Sequence, residues 1–172
     1  KAPHHLLRME TLLKVFPGAQ IIQTHRDPLQ SIPSIASFIH TLWCIYSEKA
    51  DPVAAGHEWS GLMNRALNHT MQVRRGPQAG QFLDVRFQDT VKQPMEVVRR
   101  IYQFIGWTLT PEAEAAMRTW LAHDEKSHQG GHDYGAEQFG LSEEGLKSDF
   151  APYREKHIAE RPATATSGSS AR

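Results

Sequence analysis

The sequence predicts an α/β fold, rich in helix and built on a parallel sheet, and three observations carry that reading. Two short strand-like runs lie far apart in the chain, at 19–25 and at 81–87. The residues between them repeat with helical periodicity. The first run also passes straight into a helix-start signal. Strands joined through helical crossovers pair in parallel.

Taken in order, Leu6, Met9, Leu13 and Phe16 recur at helical spacing, and Pro17-Gly18 ends that segment. A short buried strand centred on Ile21 and Ile22 follows, reaching Thr24-His25-Arg26. Asp27-Pro28 cuts it, because Asp caps a helix and Pro fits the first turn. The helix from about Pro28 is expected to turn Ile32, Ile35, Phe38, Ile39 and Leu42 inward. Asp51-Pro52 repeats the start signal and opens a long helix through Trp59, Met63, Leu67 and Met71 to Arg74-Arg75, stopped by Gly76-Pro77.

Residues 81–87 alternate, with Leu83, Val85 and Phe87 on one side and Phe82, Asp84 and Arg86 on the other. A helix from about Pro94 through Val97, Val98, Ile101 and Ile105 is closed by Gly106. Thr110-Pro111 starts another, ending near Leu121. Residues 122–140 lack periodicity and read as a loop, and Ser142 caps a last helix carrying Leu146, Phe150 and Tyr153. These elements make one α/β domain over residues 1–160, and 161–172 read as a disordered tail. Two strands make a poor sheet, so the expectation is either further strands ahead of Lys1 or an unusually small sheet.

Composition bounds the function. The chain has 172 residues, 40% hydrophobic and 22% charged, with 19 Lys+Arg against 19 Asp+Glu. That balance excludes a disordered polyelectrolyte, and a sequence pI near 7.3 argues against a general nucleic-acid or anionic-membrane binder. No run approaches the roughly 20 apolar residues that span a bilayer. The start carries no signal-peptide core and no initiator methionine, so truncation at the N-terminus is expected. The single cysteine, Cys44, lies between Trp43 and Ile45 and is expected to be a buried structural thiol. Without a disulfide framework, a cytoplasmic location is expected.

The most informative segment is 22–34. In a parallel α/β sheet, ligands sit outside the carboxyl ends of the strands, and Arg26 stands where strand passes to helix. The new helix offers unpaired N–H groups, and Arg26 adds a planar fork of donors matched to phosphate. Ser34 follows about two turns into the helix, within reach of the same anion, and Pro33 is expected to bend or loosen the turn between them. The arrangement suits a terminal phosphate monoester. The alternative is that Arg26 merely pairs with Asp27 or another nearby carboxylate.

Several blocks in fixed order carry a family resemblance: KAPHH at 1–5, FPGA at 16–19, THRDP at 24–28 with Ser34, FLDVRFQD at 82–89 followed by Pro94, and FIG at 104–106. Together with HDY at 132–134, FGL at 139–141 and FAPY at 150–153, they resemble the sulfotransferase family. The likeness is to its bacterial branch, whose members read KSPxH, FPDA and HRDP in that order. The resemblance covers about residues 1–155 and implies a three-layer α/β fold of the P-loop nucleotide-binding type.

It also implies roles. Arg26 and Ser34 would hold the 3'-phosphate of 3'-phosphoadenosine 5'-phosphosulfate (PAPS), the sulfuryl donor, and no metal is implied. Phe87 stands where the family often has a Tyr near adenine, and it keeps the stacking face without the hydroxyl. A core aromatic is the competing reading. For the acceptor's proton, His5 matches the branch pattern, with Lys1 supporting charge near the transferring group. His4 is the neighbouring alternative, and His5 packing under the helix is the structural one. The acceptor would be a hydroxyl or amine on a small molecule, carbohydrate or lipid.

The sequence departs from the family in one decisive respect. It contains no Gly/Ser/Thr-rich phosphate loop for the 5'-phosphosulfate; Gly130-Gly131 is too isolated to serve. It holds the 3'-phosphate half of a nucleotide site and is not expected to turn over by itself. The alternatives are a silent nucleotide- or partner-binding remnant and a nucleotide kinase-like phosphotransferase. Three histidines (His123, His128, His132) with Asp124 and Asp133 fit no tight zinc spacing. Lys126, His132 and Tyr134 occupy a loop that relatives close over nucleotide or acceptor, with a solvated loop as the simpler account. Arg74, Arg75, Arg99 and Arg100 read as surface charges, and no nucleophilic triad is supported.

Overall fold

The computed structural model describes residues 3–124 and 135–159. Its sheet has two parallel strands, β1 (Ile21–His25) and β2 (Phe82–Arg86), in the register Ile21 to Phe82 through His25 to Arg86. The crossover holds two long helices, α2 (Pro28–Tyr46) and α3 (Pro52–Val73). Before β1, a 3₁₀ turn (Pro3–Arg8) leads into α1 (Met9–Val15). After β2 come α4 (Phe87–Lys92), α5 (Pro94–Ile105) and α6 (Pro111–Asp124). A 3₁₀ turn (Ala136–Phe139), α7 (Glu143–Asp149) and α8 (Ala151–His157) complete the described chain.

Local chemistry sets the helix ends. The Asp27 carboxylate accepts from the Leu29 N–H at 3.1 Å, with Pro28 in the first turn. Asp51 does the same for α3, accepting from Val53 N–H at 2.9 Å, and Ser142 Oγ accepts from Gly145 N–H at 3.0 Å to start α7. Gly106 ends α5 at φ 72°, in the left-handed region that glycine enters without cost. The helix α2 continues through Pro33 without interruption.

The main core joins α2 and α3 to the C-terminal elements. Ile32 and Ala36 meet Met63, Leu67 and Met71, and Phe139, Leu141, Leu146, Phe150 and Tyr153 close over them. At Gly56 the approach is so tight that a Cβ would lie 2.1 Å from the Phe139 carbonyl oxygen. Met9 and Leu13 of α1 pack with Phe82, Ile21 and Val73 beneath the start of the sheet. This ties α7 and α8 to the crossover helices, beside the carboxyl ends of both strands.

Several expectations need correction. In α2 the buried stripe is Ile32, Ala36 and Ile39, at i, i+4 and i+7. Phe38 falls about a third of a turn away and is 62% exposed. Cys44 is also off the stripe: it is an exposed free thiol, 3.6 Å from His40 Nε2. In β1 the buried residues are Gln23 and His25, whereas Ile22 is 41% exposed, because only one face of the strand is covered. Phe87 opens α4 and does not continue β2. The segment read as a loop from 122 includes the end of α6 and a 3₁₀ turn, and the last helix breaks at Phe150 into two. The tail at 161–172, Lys1, Lys126, His128, His132, Asp133 and Tyr134 lie outside the described residues.

Candidate functional site at the carboxyl ends of the strands

A cavity opens where the sheet ends. It measures about 260 Å³ and is lined by Arg26, Asp27 and Gln30 from the β1–α2 junction, by Arg86, Phe87 and Gln88 from the β2–α4 junction, and by His25, His157 and Ile158. Its size suits part of a nucleotide, since pockets for whole drug-sized ligands are usually larger. The Arg26 guanidinium lies over the Phe87 ring, 4.7 Å from the centroid. Among the described residues Arg26 forms no ion pair. Asp27, its expected competitor, is held instead by Arg154.

Ser34 is half-buried on α2 and does not line the cavity. It follows Gln30 by one helical turn, so the two share a helix face, and Ser34 lies one turn deeper along α2 than the cavity wall. His5 is exposed on the N-terminal 3₁₀ turn, which is fastened to α3 by the Thr70 hydroxyl donating to the Leu6 carbonyl at 2.9 Å. It too is absent from the cavity wall. The structure therefore brings Arg26 and Phe87 together and leaves Ser34 and His5 outside that contact.

Beneath the cavity runs a polar network that the sequence did not announce. His25 is buried, with Nε2 2.7 Å from Asp84 Oδ1 and Nδ1 2.8 Å from the Tyr153 hydroxyl. The carboxylate can only accept, so Nε2 carries a hydrogen. Arg74, expected at the surface, is buried, with Nη2 2.6 Å from the same Asp84 oxygen and Nη1 donating to Gln23 Oε1 at 2.9 Å. Burial works against ionisation of Asp84, but the bonds from His25 and Arg74 outweigh it and hold the carboxyl well below the usual range. Burial, reinforced by Asp84, pushes the Tyr153 phenol up, so it stays neutral.

His157 stacks on His25 with ring centroids 4.1 Å apart. Burial and the field of His25 lower its pKa to about 4. One ring nitrogen each from His25 and His157 and a carboxylate oxygen of Asp84 lie within 4.8 Å of one another, a spacing that a metal could use. The chemistry argues otherwise. Two parallel stacked rings cannot both aim in-plane lone pairs at one ion, and the Arg74 cation already occupies the shared oxygen. The cluster is a hydrogen-bonded support for the strand ends.

A larger groove of about 840 Å³ lies among α4, α5 and α6. Its Arg99 and Arg118 are already paired with Glu114 at 2.6 Å, so it offers no uncommitted arginine. No described helix is long and apolar enough to cross a membrane.

Comparison with known proteins identifies the family and the fold. In sequence, the chain is 27% identical over 113 residues to the omega-hydroxy-beta-dihydromenaquinone-9 sulfotransferase Stf3 of Mycobacterium bovis, covering 62% of this chain and 28% of that protein. The protein of the same name from Mycobacterium tuberculosis gives the same figures. The crystal structure of sulfotransferase STF9 from Mycobacterium avium superposes with a TM-score of 0.82 at 31% identity, over 93% of this chain and 41% of that one. For sulfotransferase STF1 from M. tuberculosis H37Rv the TM-score is 0.69 at 26% identity, over 88% and 38%. The chain thus spans less than a third of the curated relatives' length and shares the P-loop-type α/β architecture of the two solved sulfotransferases. A model of the sulfotransferase family matches residues 1–111, more than half of the sequence, and the chain belongs to that family.

Proposed function

We propose that the cavity at the strand ends binds the 3'-phosphate and adenine of PAPS, within a protein that transfers the sulfuryl group to an acceptor hydroxyl or amine. One observation carries the reading: a guanidinium with no carboxylate partner among the described residues, laid over an aromatic ring at the junction of β1 with the N-terminus of α2. Arg26 supplies a two-pronged donor suited to a phosphate dianion. Phe87 supplies the adenine face. Ser34, one turn deeper, is the second side-chain donor once a phosphate draws the turn together.

In the transfer, the acceptor oxygen or nitrogen attacks sulfur as the bond to the bridging phosphate oxygen breaks. The products are the sulfated acceptor and adenosine 3',5'-diphosphate, and the acceptor's proton passes to a base. His5 is the candidate base and Lys1 the candidate cation for the developing charge. The 172 residues hold no phosphate loop, so they bind the 3'-phosphate half without turning over by themselves. Stf3 is named as an omega-hydroxy-beta-dihydromenaquinone-9 sulfotransferase, and we extend a hydroxyl acceptor to this chain.

Titration calorimetry with adenosine 3',5'-diphosphate and with AMP tests the reading. The wild-type chain should prefer the diphosphate, and Arg26→Ala should abolish the preference while leaving AMP binding within about twofold. Equal affinity of the wild type for the two nucleotides would overturn it.

A further inference from the structure

The residues on either side of Arg26 are both fastened to one helix. His25 Nδ1 shares a hydrogen bond of 2.8 Å with the Tyr153 hydroxyl, and the ring carries His157 stacked on it. Asp27 receives the Arg154 fork, with Nε donating to Oδ1 at 2.9 Å and Nη2 donating to Oδ2 at 3.1 Å. The helix α8 supplies Tyr153, Arg154 and His157, and just beyond it the Ala159 carbonyl accepts from Arg86, another cavity residue, at 2.9 Å. Arg26 itself forms no ion pair among the described residues and lies over the Phe87 ring.

Charge gives this arrangement its meaning. Asp27 adjoins Arg26 in sequence, and a carboxylate beside an unpaired guanidinium is its natural partner. That pairing would neutralise the cation and occupy the fork that an anion needs. Arg154 takes both oxygens of Asp27, while Oδ1 also keeps the Leu29 N–H that starts α2. The backbone at 25–27 is therefore fixed on both sides, with its one cationic side chain left open, and a site ordered in advance loses less on binding.

We infer that Arg154 is a positioning residue for the anion site: by engaging Asp27 from α8, it keeps Arg26 unpaired and available to a phosphate group of the nucleotide. The inference rests on the PAPS reading. It predicts that Arg154→Ala weakens binding of adenosine 3',5'-diphosphate about tenfold, the scale of one charge-assisted contact, and leaves AMP within about twofold. Arg154→Lys, which keeps the charge but not the fork, falls between. Adding Arg154→Ala to Arg26→Ala should cause no further loss.

The decisive variant is a rescue. In the Arg154→Ala background, Asp27→Asn still caps α2 but can no longer capture Arg26, and preference for the diphosphate should return. A helix-docking role alone would lower the affinity for both nucleotides and the melting temperature together, with no recovery in the double variant. That result, or an Arg154→Ala chain with the full wild-type preference, overturns the inference and leaves the PAPS reading standing. Absence of preference in the wild type overturns the PAPS reading, and the inference falls with it.

Discussion

His157 lies flat on His25, with ring planes 5° from parallel, and its Nε2 is buried with no hydrogen-bond partner among the described residues. An unsatisfied buried polar atom costs about 1–3 kcal/mol, while an apolar ring of similar shape keeps the stack. His157→Phe should therefore raise the thermal midpoint at pH 7.5 by roughly 2–4 °C, the shift expected of about 1 kcal/mol in a chain of this size. His157→Ala, which loses the stack and leaves a void, should lower it. A Phe variant no more stable than wild type would show that the orphaned nitrogen carries no penalty.

The same ring gives stability a pH slope. Burial first, and then the fields of His25, Arg74 and Lys156, hold the His157 pKa at about 4 against an ordinary 6.5, with Asp84 opposing them. Above 6.5 the ring is neutral in folded and unfolded chains alike, and its contribution is complete. Between 6.5 and 4 only the unfolded chain takes up the proton, so stability falls as pH falls, by roughly 3 kcal/mol in all. Asp84, with a carboxyl held low, adds its own loss only below its ordinary 3.8. Urea unfolding of wild type and His157→Phe from pH 4 to 8 should give a difference that is flat above 6.5 and grows in favour of Phe below it.

Asp84 compensates a buried cation. Its Oδ1 meets Arg74 Nη2 at 2.6 Å, and the Arg74 side chain is only 9% exposed. Asp84→Asn should cost about 2 kcal/mol, less than for a fully buried pair because Asp84 itself is half exposed. Removing both charges, as Asp84→Asn with Arg74→Met, should cost less than Asp84→Asn alone. Denaturant midpoints for the two singles and the double decide it; simple additivity would mean the ion pair contributes no coupling.

Gly56 and Gly61 of α3 should respond in opposite directions to alanine. Alanine favours a helix interior by about 1 kcal/mol. At Gly61 the added methyl meets only the mobile end of Arg65 at 3.4 Å, so that gain should appear. At Gly56 it would lie 2.1 Å from the Phe139 carbonyl oxygen, backbone that cannot yield without moving the core. A net loss of about 1–3 kcal/mol is expected there, read as a lower urea midpoint. A stabilised Gly56→Ala would mean that Phe139 does not pack as described.

The legible parts of the sequence were those set by neighbours a few residues apart. Asp27-Pro28, Asp51-Pro52, Ser142 and Gly106 each act within one helical turn, and the structure places an element boundary at every one. Arg26 was legible for the same reason, since a strand running into a capped helix fixes where its side chain emerges. Phe87 misled because alternation alone does not show where a strand yields to a helix. Phe38 and Cys44 misled because apolar character does not say which face of α2 meets α3.

The residues that sequence reasoning missed depend on distant partners. Arg74 looked like a charged helix end, and only the approach of Gln23 and Asp84 makes it a buried counterion. Tyr153 and Arg154 sit in a block whose likeness to the family was visible, but their partners His25 and Asp27 lie 128 and 127 residues earlier. The one available signal was the T-H-R-D-P run, with two ionisable residues flanking Arg26 that called for counterparts elsewhere.

Those separations also order events during synthesis. The crossover helices α2 and α3 and the pairing of β1 with β2 involve residues up to 86, so this part can condense while translation continues. The cavity cannot, because its floor waits on α8. Until residue 157 clears the ribosome, His25 and Asp27 have no tyrosine or arginine to meet, and the nascent chain carries its arginine beside a carboxylate that nothing yet restrains.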